Sequence, residues 1–344
     1  MSNLLEVESA SAPAAATSWA APSGFVYAPY TSSHRNGLVP PSWVERYERE
    51  AANYWDLFYR RNADRFFKDR HYLQAEWSEL RPDAIGSVPG GSGSISSPDK
   101  TRAAHHNAEQ QGAEQQGAEQ EQHDASQDAL EVSKELEVSS STGELVLLEA
   151  GCGVGNTLIP LLHAHPRLRV LAFDFSRTAV DIVKQHELHQ SGRVVAAVGD
   201  LTSGVLPPEL GPAGQAHLAT LMFVLSAICP AKMPAAIAAV ASGLREGGVV
   251  LFRDYGIGDG AQLRLEKSKD PKKLQADAPF FVRQDGTRAY YFRLEELTEL
   301  FRHAGFAVLQ CEYSLRQTTN KVKGITLERK FITARFAKQA ALAT

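Results

Sequence analysis

One junction constrains this chain more than any other feature. The apolar run Leu145–Ala150 feeds straight into Gly151-Cys152-Gly153-Val154-Gly155-Asn156, which opens onto a second apolar stretch. A glycine turn between a strand and a helix lets a ligand approach the backbone at the helix N-terminus. The spacing is G-x-G-x-G behind Glu149. The dinucleotide fingerprint G-x-G-x-x-G would need glycine at 156, where this chain has Asn156.

Around that junction apolar runs alternate with helical patterns. Strands are predicted at 145–150, 169–173, 194–198, 219–225 and 248–253, with helices clearest at 177–189 and 234–244. Such alternation means βαβ units and a parallel sheet. Beyond residue 253 the pattern changes to a helix at 294–303 and two β-rich runs, 306–313 and 330–336. The expected fold is α/β and Rossmann-like: a seven-stranded, mostly parallel sheet ending in a hairpin-like pair with an antiparallel last strand.

The remaining segments divide by composition. Residues 1–40 are rich in Ala, Ser and Pro with no arginine before Arg35, which fits neither a mitochondrial presequence nor a secretory signal; a disordered leader is expected. At 41–82 a capping box, Ser42 with Glu45, precedes apolar residues at Val44, Tyr47, Ala51, Tyr54, Trp55, Phe58 and Tyr59. One long amphipathic helix is expected there, its stripe covered by the domain at 144–338. Between them, residues 83–143 combine a Gly-Ser stretch with Ala-Glu-Gln-Gln-Gly repeats. From Asp83 to Glu144 twelve acidic residues face three basic ones, so the rest of the chain is net basic although the whole carries −4. With so few large aliphatic residues the insertion cannot bury enough surface to offset its ordering entropy, and disorder is expected. Residues 339–344 form a tail. Cys152, Cys229 and Cys311 stand apart, no His pair has zinc spacing and no apolar run is long enough to span a bilayer, so no disulfide framework, metal or membrane is expected. A cytoplasmic protein, with access to the nucleus, fits these features.

Acidic residues at successive strand ends point to a nucleoside ligand. Asp174 ends the second strand, where an open α/β sheet places a carboxylate to accept from both ribose hydroxyls. Asp200-Leu201 ends the third, a carboxylate for an adenine amine beside a leucine for its ring face, and Met222 adds an apolar wall. An isolated Asp at a strand end is more often a cap or turn residue; three such features in order are not. The pattern of Glu149, Gly151, Gly153 and Gly155 resembles the first motif of class I S-adenosylmethionine-dependent methyltransferases.

Longer strings carry a more specific resemblance. Trp55-Asp56-x-Phe58-Tyr59, Phe66-Phe67-Lys68-Asp69-Arg70-His71, Phe173-Asp174-Phe175-Ser176, Phe223-Val224-Leu225-Ser226-Ala227, Leu251-Phe252-Arg253-Asp254-Tyr255-Gly256 and Val282-Arg283-Gln284-Asp285-Gly286-Thr287-Arg288 resemble the tRNA 3-methylcytidine methyltransferases. The likeness covers about two thirds of the chain and is greatest to the methyltransferase-like protein six group. It implies S-adenosylmethionine as cofactor, held by Trp55, Tyr59, Gly151, Asp174, Asp200, Leu201 and Met222, with Gly153 in the same loop. It also implies cytidine 32 of serine tRNA as target and seryl-tRNA synthetase as a helper. Two features depart from the family: Cys229-Pro230-Ala231-Lys232-Met233 after the fourth strand, and the acidic insertion.

The chemistry asks little of a base. Cytosine N3 carries a lone pair at neutral pH, so alignment and electrostatics remain. Asp254, ending the fifth strand, is the candidate catalytic residue, since a carboxylate there would stabilise the cationic product and accept from the exocyclic amine. Its alternative role is a salt bridge to Arg253 or a loop cap. Because N3 lies on the pairing edge, the base must be unpaired or flipped. Arg70, Arg253, Tyr255, Arg283 and Arg288 are the candidate RNA-binding residues, within basic and aromatic interleaving at 60–72 and a basic excess of seventeen to eleven between Arg253 and Lys338. His71 alone is more simply a structural histidine. Two other classes remain open at this point: a methyltransferase for a protein or small molecule, and an RNA-binding scaffold with a degenerate cofactor cleft.

Overall fold

The computed structural model describes residues 37–81, 144–320 and 325–340. The expected leader, nearly all of the acidic insertion and the last four residues of the tail lie outside them. Nine strands and nine helices of four or more residues are described. In chain order they are α1 Pro41–Arg49, α2 Ala51–Asn62, α3 Leu73–Glu76, β1 Leu145–Ala150, α4 Leu158–Ala164, β2 Leu168–Asp174, α5 Arg177–Gln185, α6 Glu187–Gln190, β3 Val194–Val198, β4 Ala216–Met222, α7 Met233–Gly243, β5 Leu244–Tyr255, α8 Gly260–Glu266, β6 Phe280–Val282, β7 Arg288–Tyr290, α9 Leu294–His303, β8 Phe306–Asn320 and β9 Ile325–Lys338.

Seven strands form one sheet in the order β3-β2-β1-β4-β5-β9-β8, with β1 to β5 parallel and β9 antiparallel to both neighbours. The expected architecture is thus present, and the antiparallel last strand lies between β5 and β8. The small hairpin β6–β7 stands apart as its own two-stranded sheet. No signal in the sequence had marked it.

The central strands read as near-continuous apolar runs because helices cover both faces. Alternate residues go to opposite cores. Leu148, Ala150, Leu221, Val250 and Phe252 join the core under α7 and α9, while Leu147, Leu218, Val249 and Leu251 join the one under α4 and α5. The second core contains more than the sheet's own helices. Leu73, Trp77 and Leu80, all 0–1% exposed, complete it from the segment that precedes the insertion. Two ion pairs, each with one buried partner, fix the same segment to neighbouring strands, Glu76 with the buried Arg253 on β5 and the buried Glu79 with Arg335 on β9. The stretch after α2 is therefore part of the domain, not an appended arm.

The N-terminal helix differs from expectation in two ways. It begins at Pro41 with Pro40 as N-cap, and no side chain caps it, so Ser42 and Glu45 do not form the capping box. Proline at the first helical position suits a start whose amide has no partner anyway. The chain also turns at Glu50, with φ −102° and ψ 15°, dividing one helix into α1 and α2. The break lets one apolar stripe serve two surfaces. Tyr47 and Tyr54 enter the core containing Phe280 and Tyr290 of the small hairpin, whereas Phe58 and Tyr59 pack with Val154 of the glycine turn and Ala179 of α5. Removing the side chain that most deeply anchors the following segment should reveal its membership of the fold. Trp77→Ala is expected to cost about 3–5 kcal/mol of unfolding free energy in urea, and a cost below about 1 kcal/mol would make that segment a detachable arm.

Candidate functional site

Strand order reverses between β1 and β4, and ligand clefts of open α/β sheets form outside the strand ends at such a point. A cleft of about 440 Å³ lies there, walled by the glycine turn, the ends of β2 and β4, and α2. Gly151, Gly153 and Gly155 all have φ between +53° and +94°, the left-handed region that side chains resist. A Cβ on Gly153 would lie 2.6 Å from the Tyr59 hydroxyl, so glycine is required both for the turn and for the closeness of α2.

The carboxylate of Asp174 fixes this geometry. Its Oδ2 accepts from the Gly153 amide at 2.9 Å and its Oδ1 from the Ser176 amide at 2.9 Å. Burial outweighs those amides and, with Asp56 nearby, raises its pKa to about 6. Each oxygen keeps a second lone pair for a ligand hydroxyl. Asp56, 9% exposed, accepts from the Ser176 hydroxyl at 2.6 Å and the Thr178 amide at 3.0 Å. The α2 helix is thereby tied to the start of α5. Asp56 stood in a quoted string, but nothing in its spacing announced this contact.

All eight proposed cofactor residues meet on the cleft wall: Trp55, Tyr59, Gly151, Gly153, Asp174, Asp200, Leu201 and Met222. The Trp55 and Tyr59 rings stack at 5.8 Å and 29°. Burial holds the Tyr59 hydroxyl well above its usual pKa, so it stays protonated as a donor. Asp200 accepts the Thr202 amide and hydroxyl on Oδ1, both at 2.8 Å. A glycine cradle, two acceptor carboxylates at successive strand ends, apolar Leu201 and Met222 and a stacked aromatic pair fit a nucleoside carrying a short charged side chain, as S-adenosylmethionine does. When bound, that cofactor supplies an electrophilic methyl group on a sulfonium sulfur.

Beside this compartment lies an annexe of rings and guanidinium groups. Phe223, at φ +63°, turns out of the end of β4 and packs on Tyr255 at 5.1 Å, which in turn meets Tyr291 at 5.7 Å. Left-handed backbone is unfavourable for a bulky residue and is concentrated at functional sites. Arg70 stands 5.7 Å from the Phe223 ring, while Arg283 and Arg329 stand 5.3 and 5.6 Å from that of Tyr255. Arg288 also reaches the cleft, paired with Glu48 of α1, which Lys232 contacts at 2.5 Å from the other side. Neither the positive φ of Phe223 nor the place of Arg329 has a signature in the sequence.

Two expectations are corrected. Asp254 is fully buried and off the cleft wall, with Oδ2 accepting from the Ser226 amide and Oδ1 from the Tyr255 amide, both at 2.9 Å. Burial raises its pKa to about 6. It cannot touch a substrate here; it holds Ser226 and Tyr255, which do line the cleft, and so acts as a positioning residue. Nor does Arg253 face RNA. It is 3% exposed and off the cleft wall, paired with Glu76 and lying over the Tyr72 and Phe331 rings. The remaining substrate candidates, Arg70, Tyr255, Arg283 and Arg288, all line the cleft. Asp254 also makes no salt bridge to Arg253.

Known proteins resemble this chain over most of its length. The family described as "Methyltransferase domain" matches residues 65–311. The tRNA N(3)-cytidine methyltransferase METTL6 of Mus musculus is 37% identical over 88% of this chain and 86% of its own length. The tRNA N(3)-methylcytidine methyltransferase trm141 of Schizosaccharomyces pombe is 34% identical over 84% and 93%, and METTL2 of Xenopus tropicalis is 36% identical over 87% and 81%. Among solved structures, that of the Bacillus subtilis protein YcgJ aligns with a TM-score of 0.43 at 16% identity, over 64% of this chain and all of that one.

The raised pKa of Asp174 makes its role in the cleft testable by pH. With ionised Asp174 accepting from ribose hydroxyls, affinity for S-adenosylhomocysteine in calorimetry would fall several-fold as pH drops from 7.5 through about 6 to 5. Constant affinity across that range would remove Asp174 from ribose binding.

Proposed function

Because the chain belongs to the tRNA N(3)-cytidine methyltransferase family, we propose that it transfers a methyl group from S-adenosylmethionine to N3 of cytidine 32 in the anticodon loop of serine tRNA. The observation that carries this reading is the annexe of Phe223, Tyr255 and Tyr291 with Arg70, Arg283 and Arg329 beside the nucleoside compartment. Aromatic faces and guanidinium planes are what an extruded, unpaired base stacks on. A guanidinium also donates to a pyrimidine carbonyl oxygen, and it has no acceptor to offer an amine.

The residues' work is positioning. N3 of neutral cytosine needs no base to remove a proton, so orientation contributes most of the rate. Tyr255 and Phe223 fix the plane of the base, and Asp254 fixes Tyr255 and Ser226 through their amides. The product base is cationic. Above pH about 6 the buried Asp254 carboxylate, bonded to the amides of the cleft-lining Ser226 and Tyr255, offsets that charge through a medium of low dielectric.

Approach of the RNA needs a phosphate-binding surface. Lys68 and Arg65 are exposed on the turn after α2, together with Phe66, whose ring is 58% exposed, and Tyr72, 42% exposed. Basic and aromatic side chains so interleaved suit a single-stranded loop. Seryl-tRNA synthetase as helper, and a cytoplasmic location with access to the nucleus, complete the proposal. They follow from the resemblance to the group that modifies serine tRNAs.

Incubating the protein with S-adenosylmethionine and unmodified total tRNA, followed by nucleoside mass spectrometry, should yield 3-methylcytidine mapped to position 32 of serine tRNAs. Methylation of another base, or none at all, would overturn the reading. Tyr255→Ala should reduce kcat/KM by tenfold or more, since stacking one base is worth about 1–3 kcal/mol, with S-adenosylhomocysteine affinity within about twofold of the parent.

A further inference from the structure

Asn156 occupies the position where a dinucleotide-binding turn would place glycine, and its side chain has a use that a glycine could not serve. Its Nδ2 donates to the Phe67 carbonyl at 3.1 Å and to Asp69 Oδ1 at 3.2 Å, while its own carbonyl accepts from the Arg70 amide at 2.9 Å. The next residue continues the seam. Thr157 Oγ1 accepts from Arg70 Nη1 at 2.6 Å, and its hydroxyl donates to Glu149, the acid that precedes the glycine turn. Asn156 is 7% exposed and Thr157 fully buried. Four hydrogen bonds, anchored on the buried Asn156 and Thr157, therefore join the turn that cradles the nucleoside to the segment that carries Phe67 and Arg70 to the cleft.

We propose that Asn156 and Thr157 are positioning residues that couple the two ligands, so that occupancy of the glycine turn orders residues 66–72 for RNA and RNA binding tightens the hold on the cofactor. The inference rests on the proposed function and goes beyond it by assigning an energetic link between the sites. Arg70 is the joint. Its backbone amide and its guanidinium are both fixed to the turn, and the same guanidinium stands 5.7 Å from the Phe223 ring where the base would stack. A shift of the turn by a few tenths of an ångström changes these bonds directly, because interiors transmit displacement between packed, bonded groups. Linkage makes the effect equal in both directions.

Affinity for fluorescently labelled unmodified tRNA is measured with and without saturating S-adenosylhomocysteine. The parent protein is expected to bind RNA about fivefold or more tightly with the cofactor product present, the lower end of usual coupling. In Asn156→Ala the ratio is expected to fall towards one. Asp69→Ala, an exposed position whose change should leave folding intact, is expected to lower the ratio, and Asp69→Asn, which keeps an acceptor, to restore it. A ratio of one in the parent, or an undiminished ratio in both alanine variants, would overturn the coupling. Absence of any cofactor binding in calorimetry would instead overturn the proposed function, so the two failures are distinguishable.

Discussion

A single carboxylate organises the cleft. Asp174 holds the Gly153 amide with one oxygen and the Ser176 amide with the other, so the turns after β1 and β2 share one anchor. Ser176 then extends the chain outward: its hydroxyl caps α5 by accepting from the Ala179 amide at 3.2 Å and donates to Asp56 of α2 at 2.6 Å. Gly153, Asp174, Ser176 and Asp56 thus form one bonded line from the floor of the cleft to the helix that covers it. Charge-assisted bonds to buried amides are stronger than neutral ones and costly to leave unmade. The position of Trp55 and Tyr59 over the cleft depends on this line, since both lie on the helix that Asp56 ties down.

What could be read from the sequence followed period and spacing. Strands 145–150 and 194–198 and the helix 294–303 match the structure residue for residue, the strands because each is a short apolar run bounded by glycine and polar residues, the helix because its apolar residues keep the helical period. The run expected at 219–225 lies at Ala216–Met222 instead, because Phe223 leaves the strand through a left-handed turn that apolar composition cannot announce. The two terminal strands are longer than expected, fifteen and fourteen residues, since their polar outer halves pair with each other and have no core to reveal them. The cofactor residues were legible for a different reason. Gly151, Gly153, Asp174, Asp200, Leu201 and Met222 lie at or just after the ends of β1 to β4, where topology gathers them at one edge of the sheet, whereas Trp55 and Tyr59 lie on α2 and were marked only by the resemblance. The annexe had no such rule, being assembled from β4, β5, the small hairpin and β9.

Arg253 and Asp254 illustrate the limit of a motif. They adjoin in sequence, and a salt bridge between them is the alternative role for Asp254, yet a strand sends neighbours to opposite faces. Arg253 is spent on Glu76, joining β5 to the segment before the insertion. Removing one partner of a buried ion pair is far more damaging than exchanging both for apolar residues. This charge is thus a structural fastener. Asp254, on the other face, is fully buried and off the cleft wall, and it reaches the site only through the Ser226 and Tyr255 amides that it accepts.

The acids near the cleft also carry a cost to the fold. Burial raises Glu149 to about 8, against Arg70 and Thr157 which favour its ionised form, and raises Asp174 and Asp254 to about 6, from ordinary values of 4.5 and 3.8. A raised carboxyl binds its proton more tightly in the folded chain than in the unfolded one. Between the ordinary value and the raised one the folded state therefore holds more protons, and stability falls as pH rises through that window. At neutral pH the ionised forms of Asp174 and Asp254 are present at the expense of stability, while their best-folded state lies at acid pH. The ionised Asp254 fixes the loop amides and the ionised Asp174 fixes the glycine turn while lining the cleft, so the fold sacrifices stability where the site holds negative charge.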